Sequence, residues 1–301
     1  MAVVNQQPHH TPVMADEVVT LLDPARGGRF VDCTVGTGGH AQALLAAGAD
    51  RVLGIDRDAE VLPLAAATLA EWNERVELVH ADYREIDVVL DQRQILNVDG
   101  MLADLGVSSV QLGAAGRGFS FNRDEPLDMR MDRSAGTTAA ELLREASERT
   151  LADRIFEYGE ERYARRIARA IVEARAHGPV ASTAQLAALV RRAAPRGRGQ
   201  RVDAATRTFQ ALRIWVNEEL EGLGRFLHAA CARLRAGARL AVITFHSLED
   251  RIVKWGLREL ERTGDVAVRV MTKRPLRPGP EEVRRNPRAR SAKLRAAERL
   301  P

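Results

Sequence analysis

The chain has 301 residues, enough for two domains or for one domain with a large insertion. Its 45% hydrophobic and 29% charged residues exclude a disordered chain, and no apolar run approaches the roughly 20 residues of a membrane span. Basic residues number 45 against 41 acidic, a net +4 that is too small to imply a nucleic-acid partner by itself. Only Lys254, Lys273 and Lys293 are lysines, so arginine carries nearly all of the positive charge. Two cysteines, Cys33 and Cys231, make neither a disulfide framework nor a thiolate zinc site. With no signal-peptide pattern in the first residues, the expected setting is the cytoplasm.

In chain order, Arg29–Cys33 reads as a strand, TVGTGG at 34–39 as a tight glycine turn, and His40–Ala47 as a helix. A second strand, Arg51–Ile55, closes on Asp56 and is followed by a helix over Ala59–Trp72. Val76–Val79 and Val98–Ala103 supply two more strands. This βαβ rhythm predicts a parallel, doubly wound α/β sheet with its ligand site at the carboxyl ends of the strands. From Ser109 to Trp215 the strand pattern stops, and helices are predicted over Thr138–Ala146, Leu151–Phe156, Glu161–Ala176 and Thr183–Ala193. A long helix over Ala205–Leu234 precedes a strand at Arg239–Phe245, a helix at Leu248–Leu260 and a strand at Val266–Met271. The expected organisation is one α/β domain, 1–108 plus 216–301, carrying an all-helical insertion, 109–215, over the ligand crevice.

Gly36, Gly38 and Ala41 form G-x-G-x-x-A between a strand and a helix, a turn that lets backbone approach a nucleotide closely. Asp56 ends the next strand 20 residues after Gly36, where a carboxylate can accept both ribose hydroxyl hydrogens. NAD(P) and S-adenosylmethionine share that geometry. Asp32, Asp56, Asp82 and Asp104 place an acid at or beside the end of each of the first four strands. Such a ring repels a pyrophosphate and attracts a sulfonium, which favours S-adenosylmethionine.

Methylation at C5 of a cytosine needs a cysteine nucleophile, and both cysteines read as small packing residues. Methylation of an exocyclic amine needs no covalent intermediate, only in-line positioning and an acceptor for the amino hydrogens. Asp104 is the candidate acceptor, although Leu105-Gly106 after it is not the Pro-Pro of many amino-methyltransferases.

A set of longer motifs then carries a resemblance. They are HTPVM at 10–14, GTGGH at 36–40, GIDRD at 54–58, DLGVSSVQL at 104–112 and RGFSF at 117–121. PLDMRMD at 126–132, YGEER at 158–162, ATRTFQALRIWVN at 205–217, FHSLEDR at 245–251 and NPRARS at 286–291 follow. In this order they resemble the bacterial 16S ribosomal RNA (cytosine-N4) methyltransferases, the RsmH or MraW family, over nearly the whole chain. The resemblance implies a class I S-adenosylmethionine-dependent methyltransferase, Rossmann-like, with an inserted helical domain for RNA recognition. It implies methyl transfer to N4 of a cytidine, position 1402, in the decoding region of 16S rRNA, with S-adenosylhomocysteine as product. It further implies a 16S rRNA partner within the small ribosomal subunit, no membrane and no metal; it fixes no oligomeric state. Cofactor-binding positions carried over are Gly38, Gly39, His40, Asp56, Tyr83, Asp104 and Gln111, with Asp104 also catalytic. Tyr83 stands where the family often has Phe, and either ring can cover an adenine face. The stretch between Met271 and Asn286 is short beside some relatives. The alternative function is a non-catalytic ribosome-assembly or RNA-binding factor that retains the nucleotide fold.

Other motifs carry weaker chemistry. His9-His10 lacks further ligands for a metal, and His246-Ser247 cannot form a direct Ser–His pair if both lie on a strand. Arg162, Arg165, Arg166 and Arg169 fall on a helix, as a solvated face or as phosphate contacts. Phe119 and Phe121 serve either core packing or stacking on a flipped cytosine. Residues 191–213 carry a net +6 around Pro195-Arg196-Gly197-Arg198-Gly199, and residues 273–301 a net +7, which leaves −9 for the rest. The chain therefore reads as an acidic cofactor domain with two basic arms.

Overall fold

The computed structural model describes residues 12–194 and 203–301. His9, His10, Thr11 and the arginines at 196, 198 and 201 lie outside them. The chain divides into two compact units, 1–106 with 221–301, and 107–220. The predicted domain limits fall at 108/109 and 215/216, two and five residues from these divisions.

The first unit is built on a seven-stranded sheet: β1 Arg29–Asp32, β2 Arg51–Asp56, β3 Val76–His80, β4 Val98–Asp104, β5 Leu234–Thr244, β6 Val268–Val270 and β7 Lys293–Arg299. Their order is β3-β2-β1-β4-β5-β7-β6. The first four neighbouring pairs are parallel, while β7 runs antiparallel to both β5 and β6. The sheet reverses direction outward from β1, the Rossmann-like class I arrangement, and its carboxyl-edge crevice is the expected ligand site.

Strand residues alternate between two cores, because successive side chains point to opposite faces. Val31, Leu53, Met101, Ala103 and Val242 enter one core, with Phe226, Leu227 and Cys231 from the helix Leu223–Ala232. Phe30, Val52, Leu102, Ala241 and Ile243 enter the other, against Val18, Leu22, Leu44 and Leu45. Both faces are covered, which is why these strands read as near-continuous apolar runs. Cys33 and Cys231 are buried and unbonded, the packing role read from the sequence.

The second unit has its own core. Leu143, Leu151, Ile155, Ile167, Ile171, Leu186, Val190, Phe209 and Leu212 are all buried there. Its longer helices are Glu148–Gly159, Ala164–Arg175, Thr183–Ala193 and Ala205–Asn217, and among the described residues it has no named strand. Between them and the start of the unit, the irregular stretch around 114–137 is held by hydrogen bonds. The N–H of Leu127 donates to the Ala181 carbonyl, and buried Arg117 donates to the Met131 carbonyl at 2.9 Å.

Four expectations need correction. The helix predicted over Ala205–Leu234 is two, Ala205–Asn217 and Leu223–Ala232. The first ends where Glu218 turns left-handed (φ 50°) and buried Glu219 accepts two hydrogen bonds from Arg213, at 2.7 and 2.8 Å. Its last residue, Asn217, is spent on tertiary bonds, accepting from Met131 N–H and donating to Met129 C=O, both at 2.7 Å. The apolar period continues through Leu220 and Leu223, so pattern alone could not see this break. The helix predicted at Ala59–Trp72 is shorter, Leu62–Thr68, because Asp58 folds the preceding turn by accepting from Glu60 N–H. A tighter 3₁₀ segment, Ala70–Arg75, follows it.

The sheet is also not wholly parallel, since β7 was missed as a strand. KLRAAER lacks clean alternation, and it is strand because β5 and β6 pair on either side of it. Finally, the C-terminal arm is not simply a free basic tail: Arg295 is buried and donates to Asp250 at 2.7 Å, beside Lys293 at 3.0 Å. Asp250 is held below its ordinary carboxyl range, since these two partners outweigh the burial that pushes it up.

Asn217→Ala should destabilise the protein by roughly 2–4 kcal/mol, because a buried N–H and a buried carbonyl lose their partner. Urea unfolding followed by circular dichroism reads the loss, and a change under 0.5 kcal/mol would show that these bonds do not hold the unit together.

Candidate active site

The site begins with the turn between β1 and the helix Gly39–Ala46. Gly38 caps that helix in a left-handed conformation (φ 90°), which an L side chain rarely adopts. Gly39 is packed under Pro12, whose ring atoms would lie 3.2–3.3 Å from an added Cβ. Pro12 thus covers the loop, a role that its sequence motif does not by itself reveal.

Asp56, at the end of β2, fixes the loop. Its Oδ2 accepts the Gly36 N–H at 2.8 Å and its Oδ1 accepts the Asp58 N–H at 2.9 Å. Burial raises this carboxyl to about 6 despite those two bonds. The Gly38 N–H is spent on the Val35 carbonyl at 2.7 Å. Two loop donors that a pyrophosphate would need are therefore already engaged, which weighs against a dinucleotide.

Asp32 and Asp104 end adjacent strands, β1 and β4. Asp32 is fully buried, and burial pushes it up to about 6; His40 and the Thr34 N–H only partly offset this. Thr34 braces both strand ends: its N–H donates to Asp32 at 3.2 Å and its Oγ1 accepts the Asp104 N–H at 2.7 Å. His40, buried on the first turn of the loop helix, places Nε2 3.5 Å from Asp104 Oδ2. Burial pushes His40 down, but Asp104, Asp32 and Glu282 outweigh it and hold the imidazole above its ordinary value. Glu282 is itself fixed, accepting the Met14 N–H at 2.7 Å. Among the described residues, Asp32 Oδ2, Asp104 Oδ1 and His40 Nδ1 are buried with no hydrogen-bond partner.

Orphaned carboxylate oxygens in a buried site are costly, and a cationic ligand with N–H donors would satisfy them. S-adenosylmethionine carries a sulfonium, an ammonium and a ribose diol, so the donor set fits it: Asp32 and Asp104 for the charges, Asp56 for the diol.

The predicted residues do not all fall in this place. Gly38, Gly39, His40, Asp56 and Asp104 converge at the ends of β1, β2 and β4. Tyr83 opens the turn after β3, with its ring edge-on to Phe226 at 4.8 Å. Gln111 belongs to the second unit, where its buried side chain accepts the Ser108 N–H at 2.8 Å. Asp82 is a correction to the ring of four acids. Burial raises it, but two side-chain bonds from Arg84, at 2.7 and 2.9 Å, with the Arg84 N–H and Arg57, hold it below its ordinary range. Its charge is answered within the protein, so three acids rather than four face the crevice. Reading by motif also omitted Asp32 and Glu282 from the site; Asp32 was visible as a strand-end acid, whereas nothing in the local sequence marks Glu282.

The weaker candidates resolve. His246 caps the helix Ser247–Thr263: its Nδ1 accepts the Glu249 N–H at 3.4 Å, and its Nε2 lies 3.1 Å from the Glu249 carboxylate. Phe119 is buried in the second core, and the half-buried Phe121 packs edge-on to Phe209 at 4.9 Å.

Comparison with known proteins gives a match to the MraW methylase family over residues 7–300. Proteins named "Ribosomal RNA small subunit methyltransferase H" share this sequence at similar length. The one from Thermotoga neapolitana is 51% identical, covering 96% of each chain. That from Nitrobacter winogradskyi is 50% identical, over 96% of this chain and 90% of its own. That from Sorangium cellulosum is 50% identical, over 97% and 91%.

The raised acids make stability depend on pH in a definite direction. Between about pH 4 and 6 the folded Asp32 binds more proton than the unfolded chain, so stability falls as pH rises through that window. Asp32→Asn, which never ionises, should stabilise the ligand-free protein by up to roughly 3 kcal/mol at pH 8 and by almost nothing at pH 4. Thermal unfolding of both proteins at the two pH values checks this; an equal change at both would mean that ionisation is not the cause.

Proposed function

This chain belongs to the MraW methylase family, and from that premise we propose that it methylates 16S ribosomal RNA at the exocyclic N4 of the decoding-region cytidine, position 1402, using S-adenosylmethionine. The observation that carries the reading is the buried, unpartnered carboxylate oxygens of Asp32 and Asp104, beside a glycine loop whose Gly36 and Gly38 N–H groups are already spent. The names of the full-length relatives support the RNA substrate.

When bound, S-adenosylmethionine supplies a methyl group made electrophilic by its sulfonium. Asp56 accepts the ribose hydroxyls, because its two backbone bonds hold both oxygens in place and leave lone pairs for further donors. Tyr83, anchored by Phe226, offers its ring to the adenine. Asp32 answers positive charge on the cofactor.

Asp104 is the catalytic residue. Its Oδ1 is free to accept an amino hydrogen of cytosine, which draws the nitrogen lone pair out of the ring and towards the methyl group. Transfer of the methyl group would break its bond to sulfur and release S-adenosylhomocysteine as the neutral thioether, and the amine, cationic once methylated, gives its extra proton to this carboxylate. His40, with Nε2 3.5 Å from the other oxygen, balances part of its charge. No cysteine takes part: burial raises Cys231 to about 12, and burial with the neighbouring Asp32 raises Cys33 as well. Gln111 is assigned to the cofactor and the helices of the second unit to the RNA, and a cytoplasmic site of action follows from the substrate.

Asp104→Ala should lower kcat at least 100-fold while the affinity for S-adenosylmethionine, measured by calorimetry, changes less than tenfold. Lost binding with undiminished kcat at saturating cofactor would remove Asp104 from the chemistry. Mass spectrometry of 16S rRNA nucleosides from cells with and without the gene should show N4-methylation of the decoding-region cytidine only with it. A protein that binds the cofactor yet leaves that cytidine unmodified would instead be a ribosome-assembly factor.

A further inference from the structure

The second unit carries a cleft of about 340 Å³ whose charge the established family assignment does not explain. It lies between the helices Ala164–Arg175 and Thr183–Ala193, and its wall is formed by Arg165, Arg166, Arg169 and Arg192, with Glu173 and two alanines. Four guanidinium groups against one carboxylate give the cleft a net +3.

A helix surface rich in arginine is ordinarily balanced by acids three or four residues away. Here that balance is missing. Arg165 and Arg192 have no ion pair or hydrogen-bond partner among the described residues. Arg169 has one contact, to Glu148 at 3.7 Å between two well-exposed side chains, worth little in water. Arg166 lies over the Tyr163 ring at 5.7 Å, next to Arg162 at 4.6 Å, so stacking orients both guanidinium groups without neutralising them. The buried faces of both helices, Ile167, Ala168 and Ile171 with Leu186, Val190 and Ala193, pack into the core and hold these side chains on a fixed frame.

We infer that this cleft is a docking site for the RNA backbone, taking adjacent phosphodiesters on Arg165, Arg166, Arg169 and Arg192. The inference rests on the proposed RNA substrate and locates where its backbone is held. The cleft's own lining contains no aromatic ring on which a base could stack, so the contact is electrostatic and indifferent to sequence. Glu173, the one acid in the lining, opposes phosphate there.

The triple variant Arg165→Gln/Arg169→Gln/Arg192→Gln tests this. Binding is measured by fluorescence anisotropy with a decoding-region RNA oligonucleotide and with a scrambled one, across a salt series. The variant should bind both RNAs at least tenfold more weakly at 0.1 M salt. The slope of log K against log salt should become shallower by about 2, since each lost phosphate contact removes roughly 0.7 for single-stranded RNA. Calorimetric affinity for S-adenosylmethionine should be unchanged, and the KM for small-subunit RNA should rise more than kcat falls. The matching Arg→Lys triple variant should restore most of the slope, because a phosphate accepts a point charge. Arg144→Gln/Arg149→Gln, which removes two exposed charges elsewhere in the same unit, is the control. Wild-type affinity and slope in the triple variant, or an equal loss in the control, overturns the inference. Wild-type protein that binds RNA through these arginines but transfers no methyl to it would instead overturn the functional reading.

Discussion

Burial of ionisable carboxylates at the carboxyl ends of β1 and β2 is the constraint around which the first unit is built. Asp32 and Asp56 are both pushed up to about 6 because the sheet and its covering helices exclude water from them. A fold selected for stability alone would place amides or apolar groups there. Each neighbouring feature limits the cost. Asp56 takes two backbone N–H groups, Thr34 bridges Asp32 and Asp104, and His40 is held above its ordinary value by the acids around it. What these partners leave unanswered is a specific remainder: individual oxygen atoms at the strand ends, buried and without a hydrogen-bond partner among the described residues. A ligand with positive charge and several donors recovers that energy on binding, so affinity and selectivity against anionic nucleotides have the same origin.

The glycine loop acquires its meaning from Asp56. In a dinucleotide-binding turn the backbone donors point at phosphate. Here the Gly36 N–H instead points back at a strand-end carboxylate 20 residues later, and the Gly38 N–H closes on Val35. The same G-x-G spacing therefore serves a different electrostatic purpose, and the spacing alone cannot distinguish the two.

How far the fold was legible follows from which interactions are local. β1, β2 and β4 are written in runs of buried residues, and these strands, with β3 and the helix Thr183–Ala193 with its Ser182 capping box, are legible within one or two residues. β7 was not, because pairing to β5 and β6 makes it a strand where its own sequence is indifferent. The end of the helix at Asn217 was hidden for a similar reason: its side chain bonds to residues 86 and 88 positions away. The irregular stretch before Thr138 is organised by such contacts throughout. Within the site, Asp56 and Asp104 were legible because a strand end and a spacing mark them. Glu282 was not, since only the folded chain brings it to His40. Asp82 was legible as an acid but not as a neutralised one; Arg84, two residues on, answers its charge.

The arginines divide along the same line between position and composition. Many in the first unit are engaged: Arg84 with Asp82, Arg93 with Glu77, Arg235 with Asp99, Arg239 and Arg269 with Glu298, and Arg295 with Asp250. Such pairs, some exposed and some buried like Arg295 with Asp250, cancel field locally. Along the cleft of the second unit the acids are sparse, and the guanidinium groups keep their field. Pairing is not divided between the units, since the second also answers arginines, Arg130 with Asp128, Arg191 with Asp203 and Arg213 with Glu219. What sets the cleft apart is local: four guanidinium groups share one wall with a single carboxylate, Glu173, so position rather than content concentrates the positive charge there.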